Sequence, residues 1–216
     1  MNEIANPQQD PSWIKKRIGK ATASRMADLM AVTKNGPSAK CVSYLKELVF
    51  ERLTDRAADH FVSRDMQWGI EQEPNARAAY EMITGADVIV PDFIDHPTVA
   101  GSGASPDGLV GDDGLVEFKC PSSTTHIDTL LADVVPDERV YQLMWQMAVT
   151  GRAWCDFVSY DPRLPVHLQI FVKRVARDEA LIAKMEDRVR AFLTDVDVAV
   201  QTLGVRYPVT GELFPA

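Results

Sequence analysis

Residues 115–119, Leu115-Val116-Glu117-Phe118-Lys119, place a carboxylate and an ammonium inside an otherwise apolar segment at period two. That alternation predicts a strand with Glu117 and Lys119 on one face and Val116 and Phe118 on the other. Gly111-Asp112-Asp113-Gly114 reads as a turn, and Asp107-Gly108-Leu109-Val110 precedes it, so the chain is expected to fold back and bring Asp107 beside Glu117. Charged groups turned inward in a sheet need a partner. The pattern Asp-x9-Glu-x-Lys supplies hard oxygen donors for Mg²⁺, which keeps several waters and needs only one or two carboxylates plus substrate oxygens. A metal there would polarise a phosphoryl oxygen, and Lys119 would orient a nucleophile or stabilise developing charge. The same pattern also describes a solvated hairpin edge in an acidic protein.

Composition limits the partners. Of 216 residues, 46% are hydrophobic and 25% charged, with a formal net charge of −8. A nonspecific nucleic-acid coat held by excess positive charge is therefore excluded, and any such contact must be local. The candidate basic surfaces are Lys15-Lys16-Arg17 with Lys20, and Lys173-Arg174. Cys41, Cys120 and Cys155 form no CxxC spacing, so neither a disulfide framework nor a structural zinc site is expected, and a reducing cytoplasm is the expected compartment. No apolar run reaches the length of a membrane span, and the N-terminus has no apolar leader core.

Along the chain, Thr22-Ala23-Ser24 is expected to cap a helix reaching residue 32. A second helix is expected over 38–53, with Val42, Leu45, Leu48, Val49 and Leu53 at helical spacing. A third is expected over 66–84, ended by Gly85, with Trp68, Ala76, Ala79, Tyr80 and Ile83 on its buried side and Pro74 starting or kinking it. A short strand at 88–90, the hairpin, a helix over 136–149 ending at Gly151, strands over 154–160 and 166–175, and a final helix over 178–203 complete the order. This is an α/β arrangement, a central mixed sheet flanked by helices. One domain is expected over 1–216: N-terminal helices at 12–54, a core at about 64–175, and a C-terminal helix and tail at 178–216. The tail carries Leu213, Phe214 and Pro215, either as a loose end or docked on a neighbouring subunit.

Five segments in order resemble the phage lambda exonuclease family, the YqaJ-like viral recombinase nucleases of the PD-(D/E)xK superfamily, across residues 13–163. They are Trp13-Ile14-Lys15-Lys16-Arg17-Ile18-Gly19 with Thr22-Ala23-Ser24; Trp68-Gly69-Ile70-Glu71-Gln72-Glu73-Pro74-Asn75-Ala76-Arg77; Ser105-Pro106-Asp107-Gly108; Glu117-Phe118-Lys119-Cys120-Pro121; and Tyr141-Gln142 leading to Ala148-Val149-Thr150-Gly151. The resemblance implies a restriction-endonuclease-like core with Asp107, Glu117 and the Phe118 main-chain carbonyl as metal ligands and Lys119 as the catalytic lysine. Glu73 resembles the helix-borne acid that supports the metal; Glu71 is its competitor, and Glu73 is preferred because it shares a helical face with Arg77. Gln142 resembles the glutamine at the metal or substrate, with Gln146 one turn later on the same face. Arg17, Ser24 and Ser105 resemble residues that hold a 5′-phosphate, although Ser24 is equally a helix cap.

The chain departs from the lambda pattern after Pro121, where Ser122-Ser123-Thr124-Thr125-His126 replaces an expected basic residue, leaving His126 as a partial substitute. The resemblance further implies Mg²⁺ or Mn²⁺, two ions per site, a homotrimeric ring threading linear double-stranded DNA, 5′-to-3′ degradation of one strand, and a single-strand annealing partner. A structure-specific or restriction-type endonuclease of the same superfamily, and a non-catalytic DNA-end-binding recombination protein, are the alternatives.

Overall fold

The computed structural model describes residues 11–34, 36–59 and 63–208. The expectation for Leu213, Phe214 and Pro215 lies outside them.

A five-stranded mixed sheet organises the molecule. Its strands are β4 (Val88–Ile89), β7 (Gly108–Val110), β8 (Gly114–Lys119), β9 (Trp154–Tyr160) and β10 (Ile170–Ala176), in the order β10-β9-β8-β7-β4. Only β8 and β9 run parallel; the other pairs are antiparallel. A parallel pair needs a crossover. Here α5 (Ser123–Ala132) and α6 (Asp137–Thr150) provide it. The expected hairpin is present, with Gly108 opposite Val116 and Val110 opposite Gly114. Gly108 and Gly114 are held to glycine by close approach: a Cβ at either would run into the side chain of Val88 or Trp154, respectively.

Both sheet faces are covered, so β8 is buried almost throughout rather than half-solvated. Val116 and Phe118 pack with Ala76 and Tyr80 of α4 (Arg64–Thr84), while Leu115 and Phe157 face α6, α3 (Ala39–Thr54) and α7 (Glu179–Arg206). Across the α4 face, the Tyr80 hydroxyl donates to buried Asp156 Oδ2 (2.8 Å), which also receives the Arg174 fork. Arg174 stacks over Trp154, so it is committed to the sheet, and its neighbour Lys173 pairs with Asp133 (3.2 Å).

Several boundaries moved for tertiary reasons. Residues 22–32 are not one helix. Ala21–Thr22 pairs in parallel with Ser102–Ala104 as β1 and β6, with β5 (Ile94–Asp95) beyond; a 3-10 turn covers Ala23–Arg25, only Met26–Met30 (α2) is α-helical, and β2 (Val32–Thr33) pairs with β3 (Gly36–Pro37). Strand pairing takes the residues that a cap would have used, and Ser24 does not cap α2. Helix α3 starts as expected, with Ser38 Oγ accepting from the Cys41 N–H (3.2 Å). Its buried stripe, however, runs through Cys41, Tyr44, Leu48 and Glu51, leaving Val42 and Leu53 exposed. In α4 Pro74 sits in the interior rather than at the start, and Ile83 is exposed.

Strand β10 begins at Ile170, because Val166–Leu168 is a 3-10 turn and the Gln169 carbonyl accepts from the Asp161 N–H (2.9 Å). Helix α5 was not anticipated, since Ser-Ser-Thr-Thr is poor helical sequence; Ser122 caps it by accepting from the Thr125 N–H.

Candidate active site

Asp107 immediately precedes β7, and the register Gly108 opposite Val116 sets it beside Glu117. Its Oδ2 accepts the Phe118 N–H at 2.7 Å, which locks the acid to the middle of β8. Glu117 is 1% exposed and points at α6. There Gln142 Nε2 donates to Oε1, Gln146 Nε2 donates to Oε2 at 2.6 Å, and Lys119 Nζ also contacts Oε1. The lysine arises from the period-two alternation; the two glutamines arise from their four-residue spacing on one helix. Phe118 lies between the acid and the lysine, with its ring against Tyr80 on the opposite face.

Glu73 reaches the same region from α4, held by Arg77 Nη2 at 3.2 Å. Burial pushes its pKa up; Arg77 opposes this and Glu117 adds to it. Glu71 is exposed and pairs with Gln67 (2.9 Å), so the geometry favours Glu73 of the two. Burial, then the Glu117 charge, hold the Asp107 carboxyl well above the usual carboxylate range, with Lys119 opposing. Burial works against the Lys119 ammonium as well, but Glu117 and Asp107 outweigh it and the lysine pKa lies above its ordinary value.

These residues fit a hard divalent cation. Asp107, Glu117 and Glu73 crowd negative charge in a poorly solvated space where Lys119 alone does not restore the Asp107 carboxylate to its normal acidity. Among the described residues no group of three or more His, Cys, Asp or Glu side chains that could hold a metal ion is present. Mg²⁺ requires none, because one or two carboxylates with water and phosphate oxygens satisfy it.

The predicted phosphate-binding residues converge in part. Arg17, at the end of α1 (Pro11–Arg17), donates from Nη1 to Ser105 Oγ at 3.1 Å, two residues before Asp107. Its guanidinium lies 4.2 Å from the centroid of the Trp13 ring. Burial pulls its pKa down, opposed by Tyr44, Glu51 and Glu117. Ser24 is exposed in the 3-10 turn, and its only described side-chain contact is Thr22 Oγ1 at 3.4 Å. Lys16 pairs with Asp92, and Lys20 with Asp95.

His126 does not replace the absent basic residue. It is fully buried in α5, where Nε2 donates to the Leu168 carbonyl (2.9 Å) and Nδ1 meets Ser159 Oγ (2.7 Å). A cation nevertheless stands near that segment: Arg163 Nη2 donates to the Pro121 carbonyl (3.2 Å), and its guanidinium stacks on Trp68 at 4.3 Å. It also grips fully buried Asp161 with Nε at 2.7 Å and Nη2 at 3.0 Å. Sequence reasoning missed this anchor, since only the turn brings 161 and 163 round to residue 121.

Burial alone would raise the Asp161 pKa, but Arg163 and the Ser123 hydroxyl pull it down to about 2. A depressed carboxylate pKa stabilises the fold above its unfolded value of about 3.9, and that stability is lost as pH falls through the folded value. Asp161→Asn is therefore expected to flatten the acid limb of a pH–melting profile between about pH 4 and 2. An unchanged limb would show that the pair is not what holds this turn.

An alkaline exonuclease, LHK-Exo from Laribacter hongkongensis, superimposes with a TM-score of 0.86 at 48% sequence identity, covering 91% of this chain and 97% of that one. The same enzyme in complex with dAMP matches equally well. A phage-related exonuclease from Haemophilus somnus 129PT matches with a TM-score of 0.67 at 15% identity over 85% of this chain and 96% of its own, a likeness of fold. No curated protein matches the chain. The model of the YqaJ-like viral recombinase domain matches residues 12–153, the stretch that carries α1, Glu73, the hairpin and both glutamines, and this chain belongs to that family.

Proposed function

We propose that this protein is a metal-dependent exonuclease that degrades one strand of linear double-stranded DNA from 5′ to 3′ and leaves 3′ overhangs for recombination by strand annealing. The observation that carries the reading is the acidic cluster at the hairpin, where Asp107 and Glu117 are forced together beside Lys119 at the price of a strongly raised Asp107 pKa. Likeness to an alkaline exonuclease over most of both chains supports it.

Asp107, Glu117 and the Phe118 carbonyl would hold Mg²⁺ or Mn²⁺, with Glu73 supporting a second ion. The metal would supply positive charge to the phosphoryl oxygens and bring hydroxide within reach of neutral pH. Lys119, whose raised pKa keeps it protonated, acts as a fixed charge at the reacting phosphate rather than as a proton acceptor. Gln142 orients the Glu117 oxygen it touches. Arg17 with Ser105 forms a partly desolvated anion site two residues from the cluster, suited to a terminal 5′-phosphate; Ser24 is the weaker member of that set. A ring of three copies in the cytoplasm, handing its product to an annealing protein, completes the proposal; a closed ring would retain DNA despite the net charge of −8.

The test uses linear duplex labelled at the 5′ or the 3′ end, with Mg²⁺, beside closed circular DNA. Early release of the 5′ label and intact circles are expected. Equal cutting of circles would make the protein an endonuclease. Metal-independent end binding without turnover would make it a scaffold. A monomeric mass in solution would remove the ring.

A further inference from the structure

The two oxygens of Glu117 are not equivalent. Oε1 is shared by Lys119 Nζ and Gln142 Nε2, whereas Oε2 is taken by Gln146 Nε2 at 2.6 Å. The two glutamines also differ in depth. Gln142 is 8% exposed; Gln146 is 0% exposed. A carboxylate only accepts, so the Gln146 amide must turn its NH₂ toward Glu117 and its Oε1 away. On that far side the Cys155 Sγ lies 3.9 Å from Gln146 Oε1 and also 3.9 Å from the Asp156 carbonyl, so its one proton is shared between two acceptors, of which Gln146 Oε1 has no other described donor. Cys155 lies on β9 directly opposite Leu115 of β8, so the thiol, the amide and the acid are set by one strand pairing and one helix.

We infer that Gln146, held by Cys155, is a positioning residue that pins Glu117 Oε2 and leaves Oε1 as the oxygen presented to the cation. This deepens the metal-site reading above and rests on it. A cation approaching Oε1 must displace the hydrogen bonds of Lys119 or Gln142, which sit on the same atom. Gln146 does not compete, because it holds the other oxygen from behind. Its contribution is to stop the Glu117 carboxylate from rotating as those partners leave. Groups that orient a ligand in this way commonly change metal affinity by about 10- to 100-fold. The buried amide also needs its partners, so Gln146 and Cys155 form one unit in which loss of the thiol frees the amide to tilt.

The experiment measures Mn²⁺ binding to the full chain by calorimetry without DNA, and the Mg²⁺ dependence of cleavage. Gln146→Met keeps length and volume and removes the donor. It is expected to weaken Mn²⁺ binding by about tenfold or more, and to raise the half-saturating Mg²⁺ concentration by more than it lowers kcat. Cys155→Val is expected to weaken binding by a smaller factor, and Cys155→Ser, which keeps a donor, to stay near wild type. A Gln146→Met protein that melts lower yet binds Mn²⁺ like wild type would reduce Gln146 to a core filler and overturn the inference. Should Gln146→Met fail to fold, the two Cys155 variants decide: equal affinities overturn it, and Val weaker than Ser supports it. Wild-type protein that neither binds Mn²⁺ nor cleaves DNA would instead sink the metal reading itself.

Discussion

Lys119→Ala is expected to reduce cleavage at saturating Mg²⁺ by at least about 10²- to 10³-fold, the usual loss when one preorganised charge at a reacting centre is removed. Binding to a DNA end should survive, because Arg17 and Ser105 reach the site from α1 and from the loop before Asp107, independently of β8. Metal binding should survive too. Lys119 Nζ occupies Glu117 Oε1, so the ammonium competes with a cation for that oxygen, and its removal leaves both acids in place. The measurement pairs single-turnover cleavage in Mg²⁺ with a mobility shift in Ca²⁺. Activity within a few-fold of wild type would exclude Lys119 from the reaction, and loss of end binding would make it a substrate anchor. Because Glu117 and Asp107 hold the lysine pKa above its ordinary value, the activity is not expected to titrate with Lys119 at neutral or mildly alkaline pH.

Asp107→Asn is expected to abolish turnover and, in EDTA, to raise the melting temperature. The amide oxygen can keep the Phe118 N–H bond while the charge that burial and Glu117 oppose is gone. The sign follows from the raised pKa. A carboxyl whose folded pKa lies above the unfolded value of about 3.9 stabilises fully below that value, and the stability is lost as pH rises through the folded pKa. Wild-type protein in EDTA should therefore lose stability as pH rises from about 4 toward neutrality, and Asp107→Asn should lose less. A gain of about 2–4 °C near neutral pH corresponds to roughly 1 kcal/mol for a chain of this size. Added Mg²⁺ should stabilise wild type and leave the variant unmoved. A variant that melts lower in EDTA would show that Asp107 stabilises the metal-free fold, against the reading of a site that trades stability for function.

Local sequence signals set the hairpin and its consequences. Turn residues at 111–114 and period-two alternation over 115–119 are local signals, and they suffice to set Asp107 beside Glu117 and to put Lys119 on the Glu117 face. Helices α3, α4, α6 and α7 were legible for the same reason: each has a cap or a terminal glycine and enough length for its periodicity to show. Gln142 and Gln146 were visible as a pair on one face, but not as donors to different oxygens of one acid, because that depends on how α6 crosses β8. Over residues 22–32 local cap chemistry loses to the pairing of Ala21–Thr22 with Ser102–Ala104, far away in sequence. His126 follows Pro121 closely enough in sequence to suggest a partial substitute for a basic residue, yet its ring closes a buried contact to Ser159 and Leu168.

Nothing local tied Arg163, Asp161 or Cys155 to the acidic cluster or to residue 121. Tertiary structure decided what shares the enclosed space with Glu117, and charge acts there with little solvent screening. The sequence could place a carboxylate on a strand face; only packing could bury it and set it near Asp107 and Glu73, where burial and their like charges oppose ionisation.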